Sequence, residues 1–239
     1  MVLFYTASQD ASIYLQQPYQ NTGIDEVLEI SKQWYGDIAD KSRVLIKFDA
    51  FELPNVPFTA SLQMKITEAN EIPAKFSIEA WAVSGSWEMG TGTRFDNLTT
   101  NGATWYYRNG DNTSKVWYNV MDGITASYSE GVYGDPTGLG GAWYTGSVAT
   151  QSFNYRLDDI ELDVTKFILD WESGSYDNNG LIIKFTDLEE NDSIDYGSLK
   201  IFSKESNTIY QPKIAITYEE ADDNTLTLTS ITDLINSSH

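Results

Sequence analysis

The stretch Ser61-Leu62-Gln63-Met64-Lys65-Ile66-Thr67 decides the fold class. Leu62, Met64 and Ile66 fall on one side of an extended chain, while Gln63, Lys65 and Thr67 fall on the other. That period-two pattern is the mark of a half-buried β-strand. Upstream, Val44, Ile46 and Phe48 alternate with Leu45 and Lys47. Downstream, Phe76, Ile78, Ala80 and Ala82 alternate with Lys75, Ser77, Glu79 and Trp81. Ile13 with Leu15, residues 27–31, 181–185 and 199–203, and Ile214, Ile216 and Tyr218 form shorter runs of the same kind. Turn-forming groups separate them, such as Asn21-Thr22-Gly23, Leu53-Pro54-Asn55 and Asp177-Asn178-Asn179-Gly180. Roughly eight strands punctuated in this way predict an all-β chain folded as an antiparallel jelly-roll β-sandwich.

Two stretches depart from the period. Val164, Phe167, Ile168 and Trp171 recur at helical spacing, so a short helix is expected over about 163–173, with Asp163 as its N-cap and Gly174 as its stop. Residues 84–156 are dense in Gly and Asn with aromatic residues set among them. The stretch is too long for an ordinary connection and too aromatic for a solvated linker. It reads as an ordered excursion from the sandwich with its own aromatic cluster. The expected organisation is one domain over 1–219, carrying that insert, followed by a C-terminal arm over 220–239 that begins after an acidic break.

Composition excludes several chemistries. The 239 residues hold 15 Lys and Arg against 35 Asp and Glu, a formal charge of −20, with one His, no Cys and 7 Trp. The one His is His239, the last residue, so a Ser-His-Asp triad or a paired-histidine zinc centre cannot be assembled in a folded site. Without Cys there is no thiolate ligand, disulfide or cysteine nucleophile. So acidic a surface repels phosphate backbones and anionic lipid, so neither nucleic acid nor membrane is an expected partner. No apolar run reaches the length of a membrane span, and the first residues lack the basic and apolar regions of a signal peptide. A chain synthesised and kept in the cytoplasm, or released inside an assembled particle, is the expectation.

The order of the pieces carries more than any one of them. Asp10-Ala-Ser-Ile-Tyr14, Ser42-Arg-Val-Leu-Ile-Lys-Phe-Asp49 and Leu53-Pro54 are followed by the strand at 61–67, Val83-Ser-Gly-Ser-Trp87-Glu and Leu162-Asp-Val-Thr165. Next come Asn178-Asn-Gly-Leu-Ile-Ile183, Ile201-Phe-Ser-Lys-Glu205 and Tyr210-Gln-Pro-Lys-Ile-Ala-Ile-Thr-Tyr218. That succession, over about residues 8–219, resembles DNRLRE-type domains, a jelly-roll group related to carbohydrate-binding modules. The long Gly and aromatic insert and the ending from Phe202 to Lys213 look like virion structural proteins of marine tailed bacteriophages, cyanophages included. The resemblance implies a non-enzymatic virion component that decorates or connects head, neck or tail. Its implied partners are other virion proteins and copies of itself. The alternative it implies is a module that recognises host or environmental glycan.

Candidate surfaces follow. Trp105, Trp117 and Trp143 are the rings of the insert that would stack on sugar or anchor a protein interface if exposed, and would form the insert's own core if buried. In the arm, Leu226, Leu228, Ile231, Leu234 and Ile235 are candidates for docking on a neighbouring sheet edge. No cofactor is expected. A structural Ca²⁺ would draw on Asp10, Asp25, Glu26, Asp158, Asp159 and Asp163, although no EF-hand-type loop is present. With 35 acidic residues, accidental carboxylate pairs are certain, and no short catalytic motif surrounds any of them.

Overall fold

The computed structural model describes residues 1–35, 38–49, 51–110, 116–117 and 140–220, and of Tyr35 and Ile38 the backbone alone. Among these residues the chain is an all-β antiparallel sandwich with two helices, its sheets curled into a half-barrel. The smaller sheet has the order β1-β12-β5-β9: β1 (Val2–Thr6), β12 (Lys213–Tyr218), β5 (Phe58–Met64) and β9 (Ile160–Asp163). The larger runs β6-β11-β3-β4-β10-β7-β8: β6 (Ile66–Asn70), β11 (Gly197–Phe202), β3 (Val27–Tyr35), β4 (Ile38–Lys47), β10 (Leu181–Phe185), β7 (Lys75–Ala82) and β8 (Ala149–Asn154). Within it, β2 (Gln9–Tyr14) pairs with the second half of β4 while β3 pairs with the first half.

The alternation read from the sequence builds the core. Ala60 and Leu62 from β5, Ile160 and Leu162 from β9, and Ile214 and Ile216 from β12 meet Val44, Ile46, Ile78, Leu181, Ile183, Leu199 and Ile201 from the larger sheet. Each fully buried aliphatic side chain contributes about 1.5–3 kcal/mol from leaving water. Phe76 stacks on Phe153 across the β7–β8 pair at 4.4 Å.

The deciding stretch is a strand, but not one strand. It breaks at Lys65, with β5 in the smaller sheet and β6 in the larger. One carboxylate holds that corner: Asp159 Oδ2 takes Lys65 Nζ at 2.6 Å, and its Oδ1 accepts the Ile66 N–H at 3.1 Å. The expected helix is α1 (Thr165–Glu172), buried through Phe167 and Ile168, with Trp171 stacked on Phe51. Its N-cap position is Val164, not Asp163; Asp163 instead accepts the Thr165 N–H at 3.0 Å from the end of β9. Gly174 follows the helix at φ +71°, as expected of a stop. A second helix, α2 (Asp187–Asn191), opens with a capping box between Thr186 and Glu189.

The larger sheet is apolar on its other side too. Ala11, Ile13, Leu45 and Ile182 pack there against Val83, Trp87, Ala103, Trp105, Trp117 and Trp143. The described residues of the insert therefore form a second layer laid on the sheet. Its last residues belong to the sheet itself, since β8 pairs with β7 from Ala80↔Ala149 to Lys75↔Asn154.

Candidate functional site

Trp105, Trp117 and Trp143 are all fully buried. The reading of these rings as an exposed binding surface is corrected: they are the apolar filling between the insert and β2, β4 and β10. A long Gly-rich loop has few aliphatic side chains to bury, so its tryptophans supply the core. Trp117 Nε1 donates to Thr104 O at 2.7 Å, and Trp87 Nε1 to Asn179 O at 2.8 Å.

A buried side chain pins the start of the insert. Asn21 Nδ2 donates to Met89 O and Ala103 O, each at 2.8 Å, while its Oδ1 accepts from Gly92 N at 2.8 Å and Gly23 N at 3.2 Å. Gly90, at φ +78°, has no room for a Cβ, which would stand 2.4 Å from Asn21 Oδ1.

Charge is buried at the same seam. Arg43, on β4, has a fully buried side chain and stands over the Trp105 ring at 4.8 Å and the Trp143 ring at 5.5 Å. Its Nε and Nη2 donate to the two carboxylate oxygens of Glu190 at 2.9 and 2.6 Å, and its Nη1 donates to Gly140 O at 2.6 Å. Lys184, one strand over on β10, donates to Glu79 and Asp187 at 2.5 Å each and lies 3.9 Å from Glu190. Burial pushes the Glu190 carboxyl up, but Arg43 and Lys184 outweigh it and hold the group well below the ordinary glutamate value. Both cations and all three carboxylates, Glu79, Asp187 and Glu190, are engaged in ion pairs with one another. They tie α2, the central strands and the insert together.

The six residues considered for calcium are scattered. Asp163 is at the start of α1, Asp159 is spent on the Lys65 corner, and Asp158 pairs with Arg156 at 2.7 Å. Asp25 and Glu26 line a different cleft. Among the described residues no three Asp, Glu, His or Cys side chains gather into a group that would hold a metal ion.

Asp10 is the sixth, and it is almost wholly buried. One oxygen accepts the Lys204 N–H at 2.6 Å; the other has no hydrogen-bond partner. Burial raises its pKa from 3.8 to about 7, with Glu205 adding to the rise and Lys204 opposing it. Between those two values the folded state holds a proton that the unfolded state has lost, so this group's contribution to stability falls as pH rises. From pH 5 to pH 8 the wild-type chain is expected to lose about 1–2 kcal/mol more stability than Asp10→Asn, read as urea midpoints along a pH series. Equal slopes for the two chains would refute the assignment.

Two of the clefts walled by described residues are roomy enough for a ligand. One, of about 650 Å³, lies at the Lys65 corner beneath Ile209 and Tyr210, with Gln63, Asp159, Glu161 and Lys213 in its walls. The other, of about 800 Å³, opens between the residues preceding β3, the insert around Arg94 and the ends of β6 and β11. In it Arg94 pairs with Glu29 and stacks on Tyr14 at 3.9 Å, and its backbone N–H reaches both oxygens of Asp25 at 3.2 and 3.1 Å. Burial pushes Asp25 up to about 6. No family model matches the chain, and no curated protein matches it either.

Sequence reasoning passed over Arg43, Lys184, Glu190 and Arg94. The Thr186-x-x-Glu189 capping signal for α2 was present. Nothing local marks Arg43 or Lys184 as buried, because what covers them comes from distant segments.

Proposed function

We propose that this chain is a non-enzymatic structural component of a bacteriophage particle. In this reading it is a rigid β-shell that docks to other virion proteins and to copies of itself on the head, neck or tail. The observation that carries the reading is the open edge of the smaller sheet. β1 reads Val-Leu-Phe-Tyr-Thr and, among the described residues, pairs with β12 on one side only and exposes Val2 and Phe4. Edge strands that avoid pairing usually carry charge, proline or a bulge, and this one has none of the three. A strand from a neighbour would satisfy its free backbone groups and cover both side chains.

Other features support the reading. The buried charge network cross-links α2, the central strands and the insert, which suits a part whose work is geometric. The resemblance to phage virion proteins points the same way, and a charge of −20 keeps free subunits apart before assembly. The end of β12 lies beside the start of β1, since the Met1 amino group donates to Tyr218 O at 2.6 Å. The arm candidates Leu226, Leu228, Ile231, Leu234 and Ile235 lie outside the described residues.

Mass spectrometry of density-purified particles is the test. The chain is expected at a fixed ratio to the capsid or tail proteins through successive gradients. Recovery only from the particle-free supernatant would refute the proposal.

A further inference from the structure

The backbone of β1 shows which of its groups face the open edge. Met1 and Tyr218 exchange two hydrogen bonds, Met1 N to Tyr218 O at 2.6 Å and Tyr218 N to Met1 O at 3.1 Å, and Ala7 N donates to Pro212 O at 3.0 Å. In an antiparallel ladder such residues alternate with residues whose groups point the other way. In the register from Val2↔Thr217 to Thr6↔Lys213, Leu3 and Tyr5 therefore bond to β12. Val2, Phe4 and Thr6 aim their N–H and C=O groups away from it, at an edge that no other strand covers among the described residues. The same three residues are exposed, while Leu3 and Tyr5 are half-buried against the core.

We propose that this edge pairs with β1 of a second copy of the chain, antiparallel, about a two-fold axis at Phe4. This rests on the docking reading of the edge and names its occupant. Phe4 is the middle residue of the strand, so the two-fold sets Phe4 against Phe4 and each Val2 against Thr6 of the other copy. Every edge-facing N–H and C=O of Val2, Phe4 and Thr6 then has a partner, and the four-stranded sheets of the two copies become one. Registers shifted either way leave Val2 or Thr6 without a partner in β1. The two Phe4 rings form a cross-strand aromatic pair and leave water together.

Charge points to the same occupant. β1 carries no ionised side chain, so no like charges face each other across the seam. Lys213 lies beside Thr6 at one end of the edge, and the exposed Glu219 and Glu220 follow Tyr218, beside Met1, at the other. The two-fold reverses the second copy, so the Lys213 end of each copy lies across from the acidic end of the other. The opposite edge of the sheet, β9, is blunted by Glu161 and Asp163. A two-fold also closes the assembly at two copies, where pairing β1 with β9 would continue into a filament. A five-residue seam is smaller than a standard interface, so a weak dimer is expected, with a dissociation constant of about 1–100 μM.

The test is sedimentation velocity of the full chain over a concentration series reaching about 100 μM. A reversible dimer is expected. Phe4→Lys and Phe4→Glu each set like charges face to face at the axis and should weaken the dimer by about tenfold or more, while an equimolar mixture of the two should recover it. Phe4 is 59% exposed, so both variants are expected to fold as the wild type does, which far-ultraviolet circular dichroism checks. Hydrogen exchange gives a second readout: the Val2, Phe4 and Thr6 amides should slow as concentration rises. The proposal is overturned if the wild type stays monomeric, if either variant dimerises as well as the wild type, or if the mixture fails to associate. A monomer whose edge amides exchange slowly at every concentration also overturns it, because another part of the same chain then covers β1. The particle reading fails separately: a monomer found at a fixed ratio in particles refutes the two-fold pair alone, and a dimer recovered only outside particles refutes the particle reading alone.

Discussion

Glu190→Ala is expected to destabilise the protein by about 3–5 kcal/mol, one of the largest losses available to a single substitution. The reason is what the carboxylate leaves behind. Arg43 and Lys184 have fully buried side chains, and the Glu190 carboxylate lies 2.6 Å from the one and 3.9 Å from the other. Without it, Arg43 loses both hydrogen bonds to the Glu190 carboxylate while its guanidinium stays buried beside two indole rings. Urea unfolding gives the measurement, with the midpoint lowered and the slope unchanged. A second variant separates charge from packing. Arg43→Met combined with Glu190→Leu removes both charges at similar volume and should recover most of the loss, because a buried ion pair is often no better than the apolar residues that replace it. A loss below about 1 kcal/mol for Glu190→Ala would show that water reaches the seam and that the network is not what ties α2 to the sheet.

The same group sets an acid limit. Its carboxyl is held below the ordinary value of 4.5, so the stability it contributes is complete above that value and is lost as pH falls toward about 2. In Glu190→Gln that acid limb should flatten. Asp10 acts with the opposite sign nearer neutrality, so the wild-type stability curve should peak between the two transitions.

Legibility followed the range of the interactions. β10, expected over 181–185, forms over Leu181–Phe185, and the expected alternation in β7 and β12 matches the strands found. In each case the side chains' own period decides the strand. The Lys65 break was not legible because Leu62, Met64 and Ile66 keep their parity through a bend that Asp159 pins from far along the chain. Short β1 and β9 passed unnoticed, since four or five residues give too few alternations to register. Of the two readings held open for the tryptophans, the packing supports the core one, the usual place for large aromatic residues. Arg43 could not be read as buried, because a cation between Ser42 and Val44 looks like the solvated side of an ordinary strand. Only the insert, arriving from Ala103 onward, turns that side into an interior.

Trp105→Ala tests whether this second interior is structurally one with the first. Deleting a buried tryptophan costs about 3–5 kcal/mol through lost contact and an unfilled cavity. Here the surroundings are close-packed: a Cβ on Gly140 would lie 2.5 Å from the Trp105 ring, and Gly140 N donates to Trp105 O at 2.7 Å. The ring also shields Arg43 from water, so its loss weakens the ion pair as well as the packing. The cluster shares Leu45 and Ile182 with strands whose neighbouring residues, Val44, Ile46, Leu181 and Ile183, form the main core. A defect on one side of β4 and β10 is therefore felt on the other, and unfolding should remain a single transition at a lower midpoint. Near-ultraviolet circular dichroism follows the tryptophans and far-ultraviolet the sheet, and the two should move together. If the tryptophan signal melts first while the sheet signal keeps its wild-type midpoint, the insert is a separately folding cover, and the rigid two-layered shell on which the docking proposal rests is wrong.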